Sequence, residues 1–427
     1  MFLAYFLWLY KEVAPSARFK GAASDLAAAC LLGCAVYSKP IPNAVLIAPL
    51  VALALWRRRW RSAIVVSAVC LAVTVAWFGF NAFVSGEFNY QGGDRRTFYT
   101  SFPFDAPDAT WDTRGLAVIT SGSKAQEMLT SGELPARFAR NVEYFLIGRH
   151  FGFVPYFFPG VVAVALWLLS AERGLAWRVP TFFAFGASTV ALLLVLPYTW
   201  SGGGGPPGNR YLLSAYPTLF FLLPPMTSLS PGVVAWIGGA LFTAKILVNP
   251  FYSANYPYTI ADRGFARRLP VELTMANDLP IMLDAPRTHI WYADVLLYFL
   301  DTHAYIPEVI DAAGTKGIWV AGDGRADIIV RSEWAIDHLM VTARSPVPTT
   351  FFISIGEGES RVALAPGKAI TFDVRAAGVR ALDSYSYLLS ARSTDAFIPH
   401  LQDPSSPDLR NLGVLMTFTA TPAEQTR

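Results

Sequence analysis

Charged residues are scarce in this chain. Asp, Glu, Lys and Arg make up 15% of its 427 residues, whereas 53% are hydrophobic. This balance excludes an ordinary soluble globular protein, because it leaves too little polar surface to face water. Cysteine is nearly absent as well, and Cys30, Cys34 and Cys70 all lie in apolar segments, where cysteine behaves as a small hydrophobic residue. A disulfide-built extracellular fold is therefore excluded too.

The formal net charge is only +3, and the sequence contains no internal repeat and no low-complexity tract. Its basic residues gather near the ends of apolar segments and form no stripe along one element. That distribution gives no reason to expect a nucleic-acid partner.

Long apolar segments are what the chain has in abundance. A helix needs roughly 20 apolar residues to cross a bilayer core about 30 Å thick. Segment 211–226 is a weaker candidate for a span because it contains three prolines, and we expect it to pack inside a helical bundle. Segment 1–10 has about half the required length. It resembles the stub of a helix and lacks the features of a signal peptide. The better candidates for spans are residues 22–37, 41–56, 63–84, 151–169, 179–200 and 231–251.

An arginine cluster between two of these segments predicts the orientation. Arg57, Arg58, Arg59 and Arg61 separate segment 41–56 from segment 63–84. Such clusters stay on the cytoplasmic side, because moving them through hydrocarbon is costly. The long loop at 85–150, the glycine-rich residues 201–210 and everything after 252 then face the outside. We therefore expect a multi-pass protein of a bacterial inner membrane with its C-terminal domain in the periplasm.

The tail changes character. Short segments rich in β-branched and aromatic residues alternate with Gly, Pro, Asp and Ser, which is typical of a β-sandwich. We predict strands at 318–320, 328–331, 339–343, 351–355, 369–374, 387–391 and 415–419. Residues 291–300 have a helical period and are predicted to lie at the membrane surface, with Asp294 and Asp301 toward water.

The predicted fold is thus a polytopic α-helical membrane domain followed by an all-β, sandwich-like extracytoplasmic domain. The expected boundaries are 1–251 for the membrane domain, 252–312 for a helical interfacial connector and 313–427 for the sandwich.

Cations collect on the predicted outer face. Arginine offers paired donors and lysine a point charge to a phosphate, so this set favours a lipid-phosphate site. The alternative for each residue is a plain anchor that reaches to lipid headgroups, or for His150 an interfacial hydrogen bond. The predicted substrate-binding residues are Lys39, Arg95, Arg149, His150 and Arg210.

Three of the motifs carry a resemblance. In order along the chain, they are Ser38-Lys39-Pro40, Gly148-Arg149-His150-Phe151-Gly152 and Gly208-Asn209-Arg210-Tyr211-Leu212. With these motifs, residues 1–250 resemble the membrane half of GT-C superfamily glycosyltransferases, such as protein O-mannosyltransferases and aminoarabinose transferases. The resemblance implies a polyprenyl-phosphate-linked sugar donor, a glycan, lipid or protein acceptor, and transfer at the outer face. It also implies a carboxylate that acts as base or metal partner, so a divalent metal is the only cofactor to consider.

The chain departs from that family at its start. Family members carry their acidic residue in a first outer loop, and neither that loop nor the helix before it is present ahead of segment 1–10. We expect either a fragment or a degenerate relative without transfer activity, and we assign no catalytic residue. The loosely spaced Asp105, Asp108 and Asp112 resemble a metal cluster only weakly.

The alternative hypothesis is a non-enzymatic, membrane-anchored protein that presents the β-sandwich as a binding or assembly module. Trp319, Trp334, Tyr385 and Tyr387 would stack on sugar rings in that case, although aromatic residues of a sandwich more often fill its core. A transporter is disfavoured, because the apolar segments carry almost no ionisable residue at mid-depth.

Overall fold

The computed structural model describes residues 1–13, 22–88, 96–97, 116–117, 132–171, 174, 177–202, 208–255, 261, 264–275, 285–322, 324–356, 358–381 and 384–423. The chain divides into two compact units. A helical unit comprises Met1–Thr97, Leu116–Gly202 and Gly208–Ala244, and a β-rich unit contains Lys245–Arg427.

The helical unit is built mainly from apolar helices. Three helices of the described residues are long and apolar enough to cross a membrane, namely Trp60–Ser85, Arg178–Val195 and Ser230–Val248. The helices of the described chain up to residue 255 are α1 (Phe2–Val13), α2 (Ala22–Ser38), α3 (Pro40–Val45), α4 (Ala48–Trp56), α5 (Trp60–Ser85), α6 (Leu134–Ile147), α7 (Phe153–Tyr156), α8 (Phe158–Leu169), α9 (Arg178–Val195), α10 (Ser230–Val248) and α11 (Pro250–Asn255).

Prolines divide two of the predicted spans. Segment 41–56 splits into α3 and α4, because Pro49 in the first turn of α4 has no N–H to continue the hydrogen bonds of α3. Segment 151–169 likewise splits at Phe157, ahead of Pro159, so that α8 has only 12 residues. A helix of that length spans roughly 18 Å, well short of a bilayer core.

The proline-bearing segment 211–226 is not an α-helix. It forms a 3-10 helix at Tyr216–Leu222, and residues 223–227, which include Pro224 and Pro225, have no regular secondary structure. The prediction of a helix here is therefore wrong. The prediction that the segment packs inside the bundle is confirmed, because Leu212 and Leu219 are fully buried.

The arginine cluster forms the turn between α4 and α5. Arg58 adopts a left-handed φ of 56°, and the N–H of Arg59 bonds to the carbonyl of Ala54 at 2.8 Å. This is the geometry with which helices commonly end, although glycine usually holds the left-handed position. The turn lets α4 and α5 pack against each other as an antiparallel pair.

The segment predicted as an outer loop at 85–150 contains a helix, α6. Its buried side chains Arg137, Asn141, Tyr144 and Phe145 lie on one face at spacings of three to four residues. The amide of Asn141 donates to the carbonyl of Pro197 at 2.8 Å, which ties α6 to the end of α9. Residues 96–97 and 116–117 form a short antiparallel strand pair, β1 and β2.

The β-rich unit consists of two antiparallel sheets. The strands are β3 (Ile290–Tyr292), β4 (Val295–Phe299), β5 (Glu308–Val309), β6 (Lys316–Ala321), β7 (Ala326–Ser332), β8 (Ile336–Arg344), β9 (Thr349–Ile355), β10 (Ser360–Leu364), β11 (Ile370–Arg375), β12 (Val379–Ala381), β13 (Ser384–Ser393) and β14 (Leu412–Pro422), and a short helix, α12 (Pro399–Gln402), precedes β14. The seven-stranded sheet has the order β10-β9-β13-β7-β4-β3, with β12 paired to β13, and the five-stranded sheet has the order β11-β8-β14-β6-β5.

Both sheets contribute to one hydrophobic core. Val330 and Phe351 from the larger sheet pack with Val341 and Val414 from the smaller one, all fully buried. All seven predicted strands are confirmed, because their alternating or apolar patterns match strands β6 to β9, β11, β13 and β14.

The helix predicted at residues 291–300 is wrong. These residues form β3 and β4, joined by a tight turn at Ala293 and Asp294. Every residue of β4 is buried, because both faces of the strand are covered, and such a continuous apolar run cannot be told from a helix by its period. Asp301 is also buried instead of facing water.

Candidate functional site

Arg149 and His150 lie in a closed turn between two glycines. Helix α6 ends at Gly148, and the N–H of Gly152 bonds back to the carbonyl of Gly148 at 3.1 Å. A Cβ at Gly152 would stand 2.5 Å from that carbonyl oxygen, so only glycine fits. The turn buries Arg149 and His150, each of which is 3% exposed.

The second motif, Gly208-Asn209-Arg210, is joined to the first by the backbone. The N–H of Gly208 donates to the carbonyl of His150 at 2.8 Å. Gly208 has a φ of +90°, which few other residues adopt. The side-chain oxygen of Asn209 accepts the N–H groups of Tyr211 at 2.9 Å and Leu212 at 3.1 Å, which fixes the chain that follows.

Arg210 lies across the turn that ends the preceding segment. Its N–H donates to the carbonyl of Ser201 at 2.8 Å, and its guanidinium donates to the carbonyl of Gly202. Trp200 and Ser201 are buried beneath, whereas Arg210 itself is exposed. The cation of Arg210 is thus held on a rigid base and presented at the surface.

Lys39 joins the same region from a third part of the chain. It caps the start of α3, and its ammonium lies 4.7 Å from the centroid of the Tyr211 ring. The corner that carries Lys39 is fixed to the same segment by the buried Asn43, whose side-chain oxygen accepts the hydroxyl of Ser214 at 2.9 Å. A lysine over an aromatic ring is stabilised by about 0.5–2 kcal/mol.

Four of the five predicted binding residues are therefore connected within the helical unit. We call Lys39, Arg149, His150 and Arg210 the cationic cluster. The fifth, Arg95, lies outside the described residues. The cluster combines the exposed Arg210 and the half-buried Lys39 with the buried side chains of Arg149 and His150, and its backbone is fixed by glycine turns. Such an arrangement suits an anion, because donors that are already in place need little reorganisation.

An apolar groove of about 500 Å³ lies in the same unit. Phe153, three residues after His150, lines it and stacks with Phe145 at a centroid distance of 5.9 Å. This groove could not be predicted from the sequence, because its lining residues come from helices that are far apart in the chain. Its lining includes Phe145, Leu146, Phe153, Phe182, Phe185 and Leu219.

The described residues contain no group of three or more His, Cys, Asp or Glu side chains that would hold a metal ion. The acidic residues Asp105, Asp108 and Asp112 lie outside the described ranges. Asp25 accepts the hydroxyl of Ser62 at 3.2 Å, near the arginine turn. A divalent metal remains a prediction.

The four aromatic candidates of the β-rich unit mostly serve its core. Tyr387 is 2% exposed and its hydroxyl accepts the N–H of Ile336 at 2.7 Å. Trp334 and Tyr385 pack against the core, and Trp319 is half-buried with its ring edge-on to Phe397. These positions agree with the core interpretation.

A buried ionic group in the β-rich unit was not predicted from the sequence. The carboxylate of Asp301 accepts Arg267 at 2.7 Å, and that of Asp327 accepts Arg325 at 2.9 Å. Ser390 donates to Asp327 at 2.7 Å. The oxygens of both carboxylates accept these bonds. We therefore interpret Asp301 and Asp327 as structural residues that hold segments of the β-rich unit together, and not as catalytic carboxylates.

A second buried pair consists of Tyr298 on β4 and Arg331 on β7. Burial lowers the pKa of Arg331, and burial raises the pKa of Tyr298 to about 12. The guanidinium of Arg331 also donates to the hydroxyl of Ser384 at 2.9 Å. Burial and the neighbouring Arg331 both lower the pKa of His289, whose ring lies 5.0 Å from that of Tyr298.

Neither a protein-family profile nor a curated protein matches the sequence. Among solved structures, the chain is similar to TmCBM61 in complex with β-1,4-galactotriose, with 9% identity, a TM-score of 0.19 and coverage of 32% of this chain and 99% of that one. It is also similar to BtGH115A, a family GH115 4-O-methyl-α-glucuronidase with specificity for decorated arabinogalactans, with 12% identity, a TM-score of 0.17 and coverage of 71% of this chain and 40% of that one.

Proposed function

We propose that the helical unit lies in a membrane and binds a polyprenyl-phosphate-linked sugar, whose phosphate contacts the cationic cluster. The observation that carries this proposal is the convergence of Lys39, Arg210 and the Arg149–His150 turn from three separate segments of the chain.

The exposed surface of the long helices supports a membrane location. In α5, Phe83 is 89% exposed, and in α10 Trp236 is 68% exposed. Of the 18 most apolar consecutive residues, only 17% in α5 and 6% in α10 are buried within the protein. A helix that is apolar on every side while packing so little against protein is expected to contact lipid.

The chemistry of the ligand follows from the cationic cluster and the apolar groove, which are linked in the chain because Phe153, three residues after His150, lines the groove. A cationic cluster favours a phosphate, because charge-assisted hydrogen bonds are stronger than neutral ones. The apolar groove offers a place for an isoprenoid chain, since burial of each CH₂ group stabilises binding by about 0.8 kcal/mol. A lipid-linked phosphate presents both groups in one molecule.

The proposed reaction is glycosyl transfer. An acceptor hydroxyl oxygen forms a bond to the anomeric carbon, the bond from that carbon to the phosphate oxygen breaks, and the electron pair leaves with the polyprenyl phosphate. Positive charge near the departing phosphate lowers the barrier, because negative charge develops there. The hydroxyl proton passes to a carboxylate base, which we do not assign to a residue of this chain.

Replacement of two accessible cations tests the proposal. The protein is purified in detergent, and its affinity for a short-chain polyprenyl phosphate is measured for the wild type and the K39A/R210A variant. Loss of a charged hydrogen bond costs about 1.5–3 kcal/mol, so the affinity should fall at least about tenfold. The K39R/R210K variant, which preserves both charges, should recover part of it.

The matched control is the variant K368A/R375A, which removes two exposed cations from the β-rich unit. It should bind the lipid phosphate as the wild type does. Unchanged affinity in K39A/R210A would remove the cluster from the binding site, provided that helix content by circular dichroism is equal in all variants.

A further inference from the structure

A second groove, of about 530 Å³, opens on the outer face of the five-stranded sheet. Its volume lies within the range of about 300–1,000 Å³ that is typical of ligand sites. All of its lining residues belong to the β-rich unit, and they include Trp291, Lys316, Met340, Thr342, Thr417 and Thr419. We call this feature the Trp291 groove.

The groove forms where β6 and β14 stop pairing. Their last paired residues are Ile318 and Met416. Beyond that point, the hydroxyl of Tyr292 donates to the carbonyl of Lys316 at 2.9 Å and accepts the N–H of Phe418 at 3.4 Å. Tyr292 therefore takes the place of a strand-to-strand hydrogen bond. It holds the gap open and leaves no free backbone at this point for an added peptide strand.

One wall of the groove is a rigid hairpin between β5 and β6. The carboxylate of Asp311 accepts the N–H groups of Ala313 at 3.0 Å and Thr315 at 2.9 Å. A hydrogen bond from the side chain of Thr315, together with these backbone bonds, lowers the pKa of Asp311. The N–H of Ile310 also donates to the carbonyl of Thr315 at 2.9 Å. A wall that is already ordered lowers the entropic cost of binding a ligand.

Hydroxyl groups cover the floor. Thr417 on β14 lies opposite Thr342 on β8, and Thr342 lies opposite Thr371 on β11, so that three threonines form a row across the sheet. The hydroxyls of Thr342 and Thr371 are 2.8 Å apart. In the next row Thr419 lies opposite Met340. Each hydroxyl has one donor and two acceptor positions, and this suits a ligand that itself carries many hydroxyls.

Trp291 stands at the rim with 45% of its surface exposed. It precedes the turn at Ala293, which adopts a left-handed φ of 50°. This conformation costs a residue other than glycine about 1–2 kcal/mol, and it persists because the β3–β4 hairpin closes over two residues. The backbone therefore fixes where the indole is presented.

We propose that the Trp291 groove binds an oligosaccharide. The apolar C–H face of a pyranose ring stacks on the indole of Trp291, and the ring hydroxyls exchange hydrogen bonds with Thr342, Thr417 and Thr419. Lys316 is the one charged side chain among the described lining residues, so the groove lacks the several cations that a phosphate-rich ligand requires. A saccharide matches the combination of one exposed aromatic ring with a neutral hydroxyl surface.

This inference goes beyond the proposed function and does not depend on it. The Trp291 groove and the cationic cluster belong to different units, so each can be altered while the other is measured. W291A should leave the affinity for polyprenyl phosphate unchanged, and K39A/R210A should leave the affinity for saccharides unchanged. Failure of one proposal is therefore distinguishable from failure of the other.

The experiment uses the full chain in a detergent without a sugar headgroup, because a glycoside detergent would compete for the groove. Maltotriose, cellotriose, β-1,4-mannotriose and tri-galacturonate are titrated separately, and binding is followed by saturation-transfer NMR and calorimetry. At least one of them should bind with a Kd below about 1 mM. If the protein prefers tri-galacturonate and the preference disappears in K316M, the ligand is an acidic saccharide that contacts Lys316. If the preference persists in K316M, the saccharide is recognised through the threonine hydroxyls.

The variants locate the site. W291A should weaken binding of the best trisaccharide at least tenfold, and W291F should recover part of the loss because it keeps an aromatic ring. T342V/T417V, which removes two hydroxyls at nearly constant volume, should weaken it by a similar factor. The matched control T421V lies on the same strand, outside the groove, and should bind as the wild type does. Absence of binding for all four saccharides, or an unchanged affinity in W291A, would overturn the proposal.

Discussion

In the β-rich unit, Nη2 of Arg267 lies 2.7 Å from Oδ2 of Asp301. The same carboxylate oxygen accepts the N–H of Asp327 at 2.8 Å, and its partner oxygen accepts the N–H of His303 at 2.8 Å. Arg267 belongs to the short 3-10 helix Phe265–Arg268, which precedes the first strand of the larger sheet. One carboxylate therefore connects the segment before β3 with two other segments of the β-rich unit, those that carry His303 and Asp327.

Loss of this carboxylate should destabilise the β-rich unit. D301A leaves the nearly buried Arg267 without its closest anion and two N–H groups without an acceptor. Breaking a buried ion pair from one side costs about 3–5 kcal/mol. Hydrogen–deuterium exchange of peptides from β7 measures the change, and we expect markedly faster exchange there.

A surface ion pair provides the control for that experiment. Glu359 and Arg392 are 3.3 Å apart, and both side chains are well exposed. E359A should cost less than about 1 kcal/mol, because solvent screens such pairs. Equal exchange in D301A and E359A would contradict a structural role for the buried carboxylate.

The stability of the same unit should decline in alkaline solution through Tyr298. Burial raises the pKa of its hydroxyl to about 12, from an ordinary value of about 10. Between these pH values the unfolded chain has lost the proton that the folded chain retains, so stability falls as the pH rises. The contribution is fully present below about pH 10, and roughly 2 kcal/mol of it is lost by pH 12.

Urea unfolding of the wild type and Y298F at pH 9 and pH 11.5 tests this dependence. Phenylalanine has no proton to lose, so Y298F should lose less stability than the wild type over the same interval. Tyr292 and Tyr387, whose pKa values burial also raises, contribute to the dependence that remains. Identical slopes in both proteins would contradict the assignment to Tyr298.

The packing of α10 on α8 depends on a single glycine. A Cβ at Gly238 would lie 2.0 Å from the ring of Phe158, whereas a Cβ at the adjacent Gly239 would come no closer than 3.9 Å to that side chain. Small residues at such crossings allow close approach of membrane helices. G238A should therefore lower the thermal midpoint in detergent, since overpacking costs about 1–3 kcal/mol.

The neighbouring glycine is the matched control. G239A gains the same helix propensity, up to about 1 kcal/mol, without meeting Phe158. Its midpoint should equal or exceed that of the wild type. A similar fall in both variants would mean that chain flexibility, and not the contact with Phe158, explains the effect.

Local patterns were sufficient to predict much of the sandwich. β9 alternates buried and half-buried residues, and the second half of β8 alternates buried and more exposed ones, so a period of two is visible in the sequence. β4 was misassigned as helix because neighbouring segments cover both of its faces, which removes the alternation. Trp291 was consequently assigned to a helix, and the groove at its side could not be predicted.

Part of the candidate site could likewise be predicted from local sequence patterns, and part of it could not. The motifs around Lys39, Arg149 and Arg210 were recognisable because each stands at the end of an apolar segment next to glycine or proline. The apolar groove lined by Phe153 and the ion pair between Arg267 and Asp301 are formed by residues that are distant in the chain. No local period marks such contacts, so only the folded structure reveals them.

The affinity of the purified full chain for a polyprenyl phosphate, compared with that for the matching polyprenol, tests the central claim most directly. Both ligands offer the same chain to the apolar groove, and they differ only in the group that would contact the cationic cluster. We predict at least about tenfold tighter binding of the phosphate at low salt, and a smaller difference as salt screens the charges. Equal affinities for the two lipids would contradict a phosphate site at Lys39, Arg149, His150 and Arg210.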